Sequence, residues 1–480
     1  MYAFGETIWV GWASSNATSA SWQAGYISPP AGTPATSGSG TMLANVAGDV
    51  AVQLNVSGAG GTGSCSRAFT VAAAPGPALK EIQFTKVASN APGGASFHSH
   101  TQRLSVTGHG IFVAFNDTNL GGNVHRWSLR RSTNGGSTFQ TLYSQTHDGS
   151  APDIETDEDG YVYVFVNDAA TKALSVHKFG ASNGFTSPLN TWQYANAEAS
   201  KFSAIYDRTR QRFYYLGFND GPFLTIDRNG TLLSNVQLLQ KGSQAHIQYP
   251  HFALDGTRLY AAWTTTPPGY ITKPYLSIHF IYSDDGGASW RSPAGQSLNV
   301  PIVSDPTGPT EQIVPSKYLG SDVPWLSNFS ISNGHAAFTY AIQRPPSGTN
   351  INQQYQLYRM SPFAQLVHRD GGFAGETLQI WSPGGAFFTK TAAGTLYVVG
   401  SDLTRSDGPG AAPIVVLKST DNGRTWTDYA ISSGKYFAFG LSGMRLLPSG
   451  SDIVGFFGEW RTSDPAANVN DVYFIKIPAE

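Results

Sequence analysis

Thiol groups are almost absent from this 480-residue chain, whose single cysteine is Cys65. One cysteine cannot form an intrachain disulfide, and it excludes a zinc site of the usual multi-cysteine type. Long apolar runs are also lacking, since no stretch approaches the ~20 residues that a membrane-spanning helix needs. The formal net charge of -2 provides no electrostatic attraction for nucleic acid or an anionic membrane. We therefore expect no nucleic-acid partner and no membrane span.

Charged residues are also scarce, at 13% of the chain against 12% aromatic residues, whereas 53 glycines and 28 prolines are present. This balance favours many short strands joined by tight turns over helices. At this length the chain is either several domains or one large repeat architecture. The composition therefore predicts an all-β protein.

Residues 1–76 differ from the rest and contain short alternating strands, followed by a linker at Ala72–Ala78. The stretch W-A-S-S-N-A-T-S-A from Trp12 and the later G-A-G-G resemble a bacterial immunoglobulin-like repeat, whose pattern reads W-S-x-x-N-A-T-S-C. The resemblance implies a small Ig-like β-sandwich at 1–76 and a second domain at 77–480. Ala20 stands at the cysteine of that pattern, which implies that Cys65 has lost its partner.

The same resemblance implies a secreted or cell-surface protein of bacterial type. The residues that follow Met1 show no basic start and no apolar segment of a signal peptide. We therefore expect the signal peptide for export to be missing from this chain.

From about residue 80 a hairpin pattern recurs seven times: an apolar strand, a turn with Asp or Gly, and an aromatic-rich strand. The seven hairpins are Arg103–Asp117, Ala151–Asp168, Phe202–Asp220, Tyr249–Trp263, Trp325–Tyr340, Ala386–Gly400 and Leu441–Phe457. Repeats of about 40 to 50 residues or more, each with four strands, are typical of a β-propeller. We predict seven blades, with six as the alternative, and we expect the early strand Glu81–Lys86 to complete the last blade.

Three turns share one pattern directly after the third strand of their repeats. They read S-T-N-G-G-S-T-F, S-D-D-G-G-A-S-W and S-T-D-N-G-R-T-W, beginning at Ser132, Ser283 and Ser419. They resemble the Asp-box, or BNR repeat, of the sialidase superfamily. In such a turn the acidic or amide side chain accepts backbone N–H bonds and glycine takes a positive φ, so we predict a structural role for Asp285 and Asp421.

Candidate functional residues lie instead at the starts of the hairpins, which a propeller brings to one mouth of its central channel. We predict catalytic roles for His100, Arg103, Tyr249 and His251, and substrate-binding roles for His98, His147, Lys201, His246 and Tyr436. Such a group of His, Tyr, Arg and Lys favours an acidic ligand. No metal-ligand spacing is specific, so no cofactor is expected, although a divalent cation stays open as an alternative.

Two enzyme families are similar to the predicted propeller. The last hairpin resembles the sialidase ending, with Glu459 at the place of an acid, but Leu441 stands where that family has its nucleophilic tyrosine. Seven-bladed polysaccharide lyases are similar in blade number, Asp-box-like turns and residue types. That resemblance implies β-elimination on an acidic polysaccharide, with Arg103 or Lys201 neutralising the uronate carboxylate.

In the lyase hypothesis His100 or His251 is the base and Tyr249 the acid. The first alternative is a sialidase-like glycoside hydrolase, whose candidate carboxylates are Asp117, Asp148, Asp153, Glu198 and Glu459. The second alternative is a propeller that binds glycan or protein without catalysis. We expect a monomer in each case.

Overall fold

The computed structural model describes most of the chain. The residues that it leaves undescribed are 1–5, 24–35, 44–47, 72–77, 94, 97–100, 123, 196, 198–200, 219, 244, 269–274, 305–309, 314–322, 344–352, 361–365, 368–377, 380–385, 403–410, 424, 449, 461–468 and 479–480. The chain divides into two compact units, Met1–Ala78 and Leu79–Glu480. The predicted linker lies largely outside the described residues.

The described part of the first unit contains five strands in two sheets. The strands are β1 (Thr7–Ala13), β2 (Ser19–Gln23), β3 (Ser37–Leu43), β4 (Gly48–Gly58) and β5 (Gly61–Val71). One sheet pairs β1 with β3 and the other has the order β2-β4-β5. Ile8, Val50, Val52 and Val71 form its buried apolar cluster, and Cys65 is exposed. The Ig-like assignment of this unit stays a prediction.

The described part of the second unit forms seven sheets of four or more strands, which we number in chain order by their first strands, and one two-stranded parallel sheet. Two strands precede them, β6 (Lys80–Glu81) and β7 (Gln83–Pro92). Sheet 1 has β8 (Leu104–Thr107), β9 (Gly110–Gly121), β10 (Val124–Ser132) and β11 (Gln140–Asp148); sheet 2 has β12 (Asp153–Thr156), β13 (Val162–Asp168), β14 (Ala173–Phe179) and β15 (Asn190–Tyr194); sheet 3 has β16 (Phe202–Asp207), β17 (Arg212–Gly217), β18 (Pro222–Asp227) and β19 (Leu232–Gln237).

Sheets 4 and 5 carry additional short strands. The parallel pair of β20 (Leu239–Lys241) and β26 (Ile302–Ser304) lies outside the seven numbered sheets. Sheet 4 has β21 (His246–Asp255), β22 (Arg258–Thr266), β23 (Ile278–Ser283), β24 (Trp290–Arg291), β25 (Ser297–Leu298) and β27 (Glu311–Ile313); sheet 5 has β28 (Val323–Ser332), β29 (His335–Gln343), β30 (Gln353–Met360), β31 (Leu366–Val367) and β32 (Leu378–Gln379).

The last two sheets take up the two early strands. Sheet 6 has β33 (Ala386–Lys390), β34 (Leu396–Ser401), β35 (Ala412–Ser419) and β36 (Thr427–Tyr436), with β6 alongside β36; sheet 7 has β37 (Ala438–Gly443), β38 (Ile453–Trp460) and β39 (Val469–Ile477), with β7 alongside β39. The predicted strand Glu81–Lys86 is divided between the two sheets, because Glu81 belongs to β6 and pairs with β36. The antiparallel pairing of β7 with β39 confirms that an early strand completes the last sheet. This pairing holds together segments that are far apart in the sequence.

Each predicted hairpin supplies the first two strands of one sheet, and its strands pair antiparallel. The first strand of every sheet contacts the first strand of the next, and β37 contacts β8. The seven first strands therefore form a closed ring. Within the described residues a 3-10 turn at Ala181–Asn183 is the helical element, and no helix there is long and apolar enough to span a membrane.

The buried core lies between neighbouring sheets. Phe112 and Trp127 of sheet 1 pack with Val164 of sheet 2, and Tyr163 of sheet 2 packs with Phe213 of sheet 3. Several first strands, such as β12 and β16, are buried at every residue and therefore show no strict alternation of buried and exposed positions. Charged and polar residues in these strands are therefore buried inside the ring.

The three recurring turns have one hydrogen-bond pattern, and each joins the third strand of a sheet to the strand that follows. Asp285 Oδ1 accepts the backbone N–H of Ser289 at 2.9 Å, and Asp421 Oδ1 accepts that of Thr425 at 2.8 Å. Asn134 Oδ1 accepts the equivalent bond at 3.0 Å. The prediction that these side chains accept backbone N–H groups is confirmed. These bonds give the three side chains a structural role in the turns.

Candidate functional site

A buried cation and a tyrosine meet at the starts of the first strands of sheets 3 and 4. Lys201 immediately precedes β16, and its Nζ donates to Gln248 Oε1 at 2.5 Å. The same Nζ lies 4.2 Å from the ring centroid of Tyr249. Tyr275 completes the group, because its hydroxyl donates to the Tyr249 hydroxyl at 3.4 Å. We call Lys201, Gln248, Tyr249 and Tyr275 the Lys201–Tyr249 cluster.

Burial perturbs both ionisable groups of the cluster. Lys201 is 8% exposed, and burial lowers its pKa from 10.5 to about 7. Burial also raises the pKa of the Tyr249 phenol, which therefore keeps its proton at neutral pH. The cluster thus holds an amine that changes charge near neutral pH beside a phenol that can donate a proton.

The backbone at Tyr249 is irregular. Its φ is +48°, a left-handed conformation that is unfavourable for an aromatic residue. The pairing of β21 with β22 shifts register between Gln248 and His251. A bulge of this kind changes the direction of the side chains along the strand. It interrupts the regular alternation of side chains, from which a shared face for Tyr249 and His251 was predicted. Strain held at a bulge is a feature of functional sites.

The Arg103 side chain is buried and hydrogen-bonded in the protein interior. Its guanidinium donates to the backbone carbonyls of Ala151, at 2.7 Å, and Pro152. The residue is 1% exposed, and burial lowers its pKa to about 9 against the opposing effect of Asp153. These contacts join sheet 1 to the segment before sheet 2. The catalytic role of Arg103 stays a prediction.

His147 is also enclosed between two sheets. Its Nε2 is 2.9 Å from Asn116 Oδ1, and its Nδ1 is 3.4 Å from the backbone oxygen of Asn167. Burial lowers the pKa of His147 to about 4, so the ring is neutral at pH 7. A neutral imidazole can accept a proton but offers no charge to a carboxylate.

The other predicted residues are spread over the ring. His251 is buried, its ring contacts Phe329, and burial holds its pKa well below the ordinary range. His246 is half-buried at the start of β21. Tyr436 stacks on Phe84 with ring centroids 4.4 Å apart. His98 and His100, like Glu198, lie outside the described residues.

A second feature lies at the opposite edge of the ring, where the first strands end and their hairpins turn. A cavity of about 350 Å³ is lined there by residues of all seven sheets, including His251. Its charged lining residues are Glu155, Arg208, Asp255, Lys390 and Arg445. We call it the hairpin-end cavity. It shares no residue with the Lys201–Tyr249 cluster.

An ionic network crosses this cavity. Arg445 Nη1 donates to Glu155 Oε1 at 2.5 Å and to the backbone oxygen of Ala204 at 2.6 Å, and Nη2 lies 3.9 Å from Asp153 Oδ2. Asp153 also accepts the backbone N–H groups of Gln102 and Ala204. Burial raises the pKa of both carboxyls, and Arg445 opposes that rise. The network therefore connects sheet 7 to sheets 2 and 3.

Arg445 and Glu155 were not among the residues that the sequence pattern singled out. The available signal was a carboxylate in the first strand of a predicted hairpin, as in D-I-E-T, or an arginine just after one, as in S-G-M-R-L-L. Of the carboxylates considered for a hydrolase, Asp117 is ion-paired with Arg126 and Arg130. In the described part of the chain no group of three or more His, Cys, Asp or Glu could hold a metal ion.

Comparisons with known proteins find solved structures that are similar to this chain. No protein-family model matches the chain, and no curated protein matches it. The polysaccharide lyase Uly1 is similar with a TM-score of 0.58 at 10% identity, over 84% of this chain and 100% of that chain. A PL25 ulvan lyase bound to -[GlcA(1-4)Rha3S]- is similar with a TM-score of 0.55 at 11% identity, over 83% of this chain and 96% of that chain. At these identities the likeness shows the fold alone, and that fold is a β-propeller.

Proposed function

We propose that Leu79–Glu480 is a seven-bladed β-propeller enzyme that cleaves an acidic polysaccharide by β-elimination. The seven sheets and the closed ring of first strands support the blade count. The observation that carries the chemistry is the contact of the buried Lys201 amine with Tyr249 at a strained bulge. The similar ulvan lyase is bound to a glucuronate-containing saccharide, which is the class of substrate that we propose here.

The roles follow from what elimination requires. A cation must neutralise the uronate carboxylate, a base must remove the C5 proton, and an acid must protonate the leaving oxygen at C4. The C5–H and C4–O bonds break and a C4=C5 double bond forms. We assign the cation to Lys201, because a bound carboxylate raises the pKa of a nearby amine. We prefer it to Arg103, whose guanidinium is held by backbone carbonyls.

Tyr249 is the proposed acid, since its raised pKa keeps the phenolic proton available for the leaving oxygen. The proposed base is His251 or His100. Burial lowers the pKa of His251 well below its ordinary value, so its imidazole is neutral at pH 7 but is a weaker base than an exposed histidine. The proton then returns from the base to Tyr249 before the next cycle. Secretion or surface location and a monomeric state are further predictions that accompany this proposal.

The direct test is incubation with ulvan and other uronate polysaccharides, followed by ultraviolet absorbance and mass spectrometry of the products. We expect products with an unsaturated uronate end and no incorporation of water. Tyr249→Phe keeps the ring but removes the proton, so we expect kcat to fall by about 100-fold or more. Lys201→Gln should lose activity mainly on carboxylate-bearing substrates.

Tyr143→Phe is the matched control, because that hydroxyl bonds to Gln145 on β11, away from the cluster. It should retain full activity. Saturated products would contradict the lyase proposal and favour the hydrolase alternative, for which loss of activity in Asp117→Asn is the next test. Binding without turnover on every acidic glycan would favour the non-catalytic alternative.

A further inference from the structure

The hairpin-end cavity contains no residue of the Lys201–Tyr249 cluster, and His251, one of the two candidate bases, lies in its wall. We propose that it binds one small sugar acid, such as a free hexuronate, through Arg208. Arg208 itself has no role in the proposed cleavage. The inference goes beyond the proposed function, since binding here needs no chemistry at Lys201 or Tyr249.

Two of the three cations that line the cavity are ion-paired. Glu155 is held by Arg445 at 2.5 Å, and Asp255 is held by Lys390 at 3.1 Å. Arg208 is the third cation, and no ion pair joins it to a carboxylate among the residues that the structure describes. A bound anion would give Arg208 an ion pair.

Arg208 is also available as a hydrogen-bond donor. Its Nη2 donates to the backbone oxygen of Thr156 at 3.2 Å, and its guanidinium lies 5.8 Å from the ring centroid of Tyr206. A guanidinium has five N–H groups in a planar fork, and it matches a carboxylate with two parallel bonds. The residue is exposed at the rim of the cavity, so a ligand can reach it from solvent.

The remainder of the lining suits a sugar ring. Phe329, Phe387 and Phe388 provide apolar aromatic surface, and Asn328 and Ser330 provide polar groups for hydroxyls. Its volume of about 350 Å³ falls within the range of about 300–1,000 Å³ that is usual for small-molecule pockets. A simple anion such as acetate would contact Arg208 but leave the aromatic wall empty.

The location separates this cavity from the proposed cleavage site. Lys201 precedes the first residue of β16, whereas Arg208 follows its last residue. Asp255 likewise ends β21, whereas Gln248 lies near its start. The Lys201–Tyr249 cluster and Arg208 therefore lie at opposite ends of the first strand of sheet 3, and neither is a neighbour of the other. His251 lines the cavity, so the two sites share no residue when His100 is the base.

The test is isothermal titration of the full chain with three probes: glucuronate, glucose and acetate. We expect glucuronate to bind more tightly than the other two. Arg208→Gln should weaken glucuronate binding by about tenfold or more, because a charge-assisted hydrogen bond is lost. Arg291→Gln is the matched control, since Arg291 is also exposed and donates to one backbone carbonyl.

Three results would overturn the inference: no binding of glucuronate, equal binding of glucose or acetate, or unchanged binding in Arg208→Gln. Circular dichroism of each variant shows whether the fold is retained. Tyr249→Phe should bind glucuronate like the wild type, even if it no longer cleaves polymer. Lyase activity without glucuronate binding would refute the cavity proposal alone, and glucuronate binding without lyase activity would refute only the proposed function.

Discussion

Replacing Lys201 with methionine should stabilise the protein while abolishing activity. Lowering the pKa of Lys201 from 10.5 to about 7 corresponds to about 4–5 kcal/mol of unfolding free energy, since one pKa unit equals about 1.4 kcal/mol. Methionine removes this cost but leaves Gln248 Oε1 without the Lys201 donor, which costs about 1–3 kcal/mol. We expect Lys201→Met to be more stable by about 2 kcal/mol at pH 6.

The advantage should depend on pH in a defined direction. At pH 6 both the folded and the unfolded chain hold the Lys201 proton, and the folded state bears the full cost of a buried charge. Above about pH 7 the folded state has released the proton, so the cost declines and disappears above pH 10.5. The difference between variant and wild type should therefore shrink as the pH rises from 7 to 10.

Urea unfolding at pH 6, 8 and 10 measures this difference, with Lys241→Met, an exposed lysine of β20, as the control. An advantage that stays constant with pH would refute the argument that charge burial is its cause. A Lys201→Met protein less stable than the wild type at pH 6 would show that the Gln248 contact outweighs the buried charge.

Two further substitutions test the turns and the ionic network. Asp421→Ala should destabilise the protein by about 1–2 kcal/mol, because the Thr425 N–H loses its acceptor. Asp421→Asn should be tolerated, since Asn134 makes the same bond in another sheet. Denaturant midpoints of the two variants measure the difference in stability. Arg445→Met should cost about 3–5 kcal/mol at pH 8, because Glu155 loses its ion pair and Asp153 keeps only Arg103 as a neighbouring cation among the described residues. The loss of unfolding free energy should be smaller at pH 5, where the raised pKa values of Asp153 and Glu155 favour neutral carboxyls. An equal loss at pH 5 and pH 8 would contradict the argument that the charged carboxylates cause it.

The hairpin pattern was readable in the sequence because strand and turn signals are local. Apolar residues next to Gly or Asp turns predicted the seven antiparallel pairs, and the spacing within S-x-D-x-G predicted the turn contacts of Asp285 and Asp421. The fourth strand of the last sheet could also be anticipated, because β39 had no following strand to pair with. Each of these features depends on neighbours in the sequence or on a repeat count.

The candidate site could be anticipated only in part. Lys201 and Tyr249 lie at the starts of successive hairpins, and the ring brings the two side chains together. Their binding and catalytic roles stay predictions. The sequence did not reveal the bulge at Tyr249, because a shift of register depends on the partner strand. Nor did it show that the guanidinium of Arg103 is held by two backbone carbonyls.

By itself, then, the sequence determined an all-β chain, the positions of its hairpins and the chemistry of its turns, because these follow from local propensity and periodicity. The tertiary structure alone decided which charges are buried and what they contact. Arg445 and Glu155 are 290 residues apart in the chain, and only closure of the ring brings them to 2.5 Å. The pKa of Lys201 is likewise set by the packing of two sheets around it, a property that no local pattern encodes.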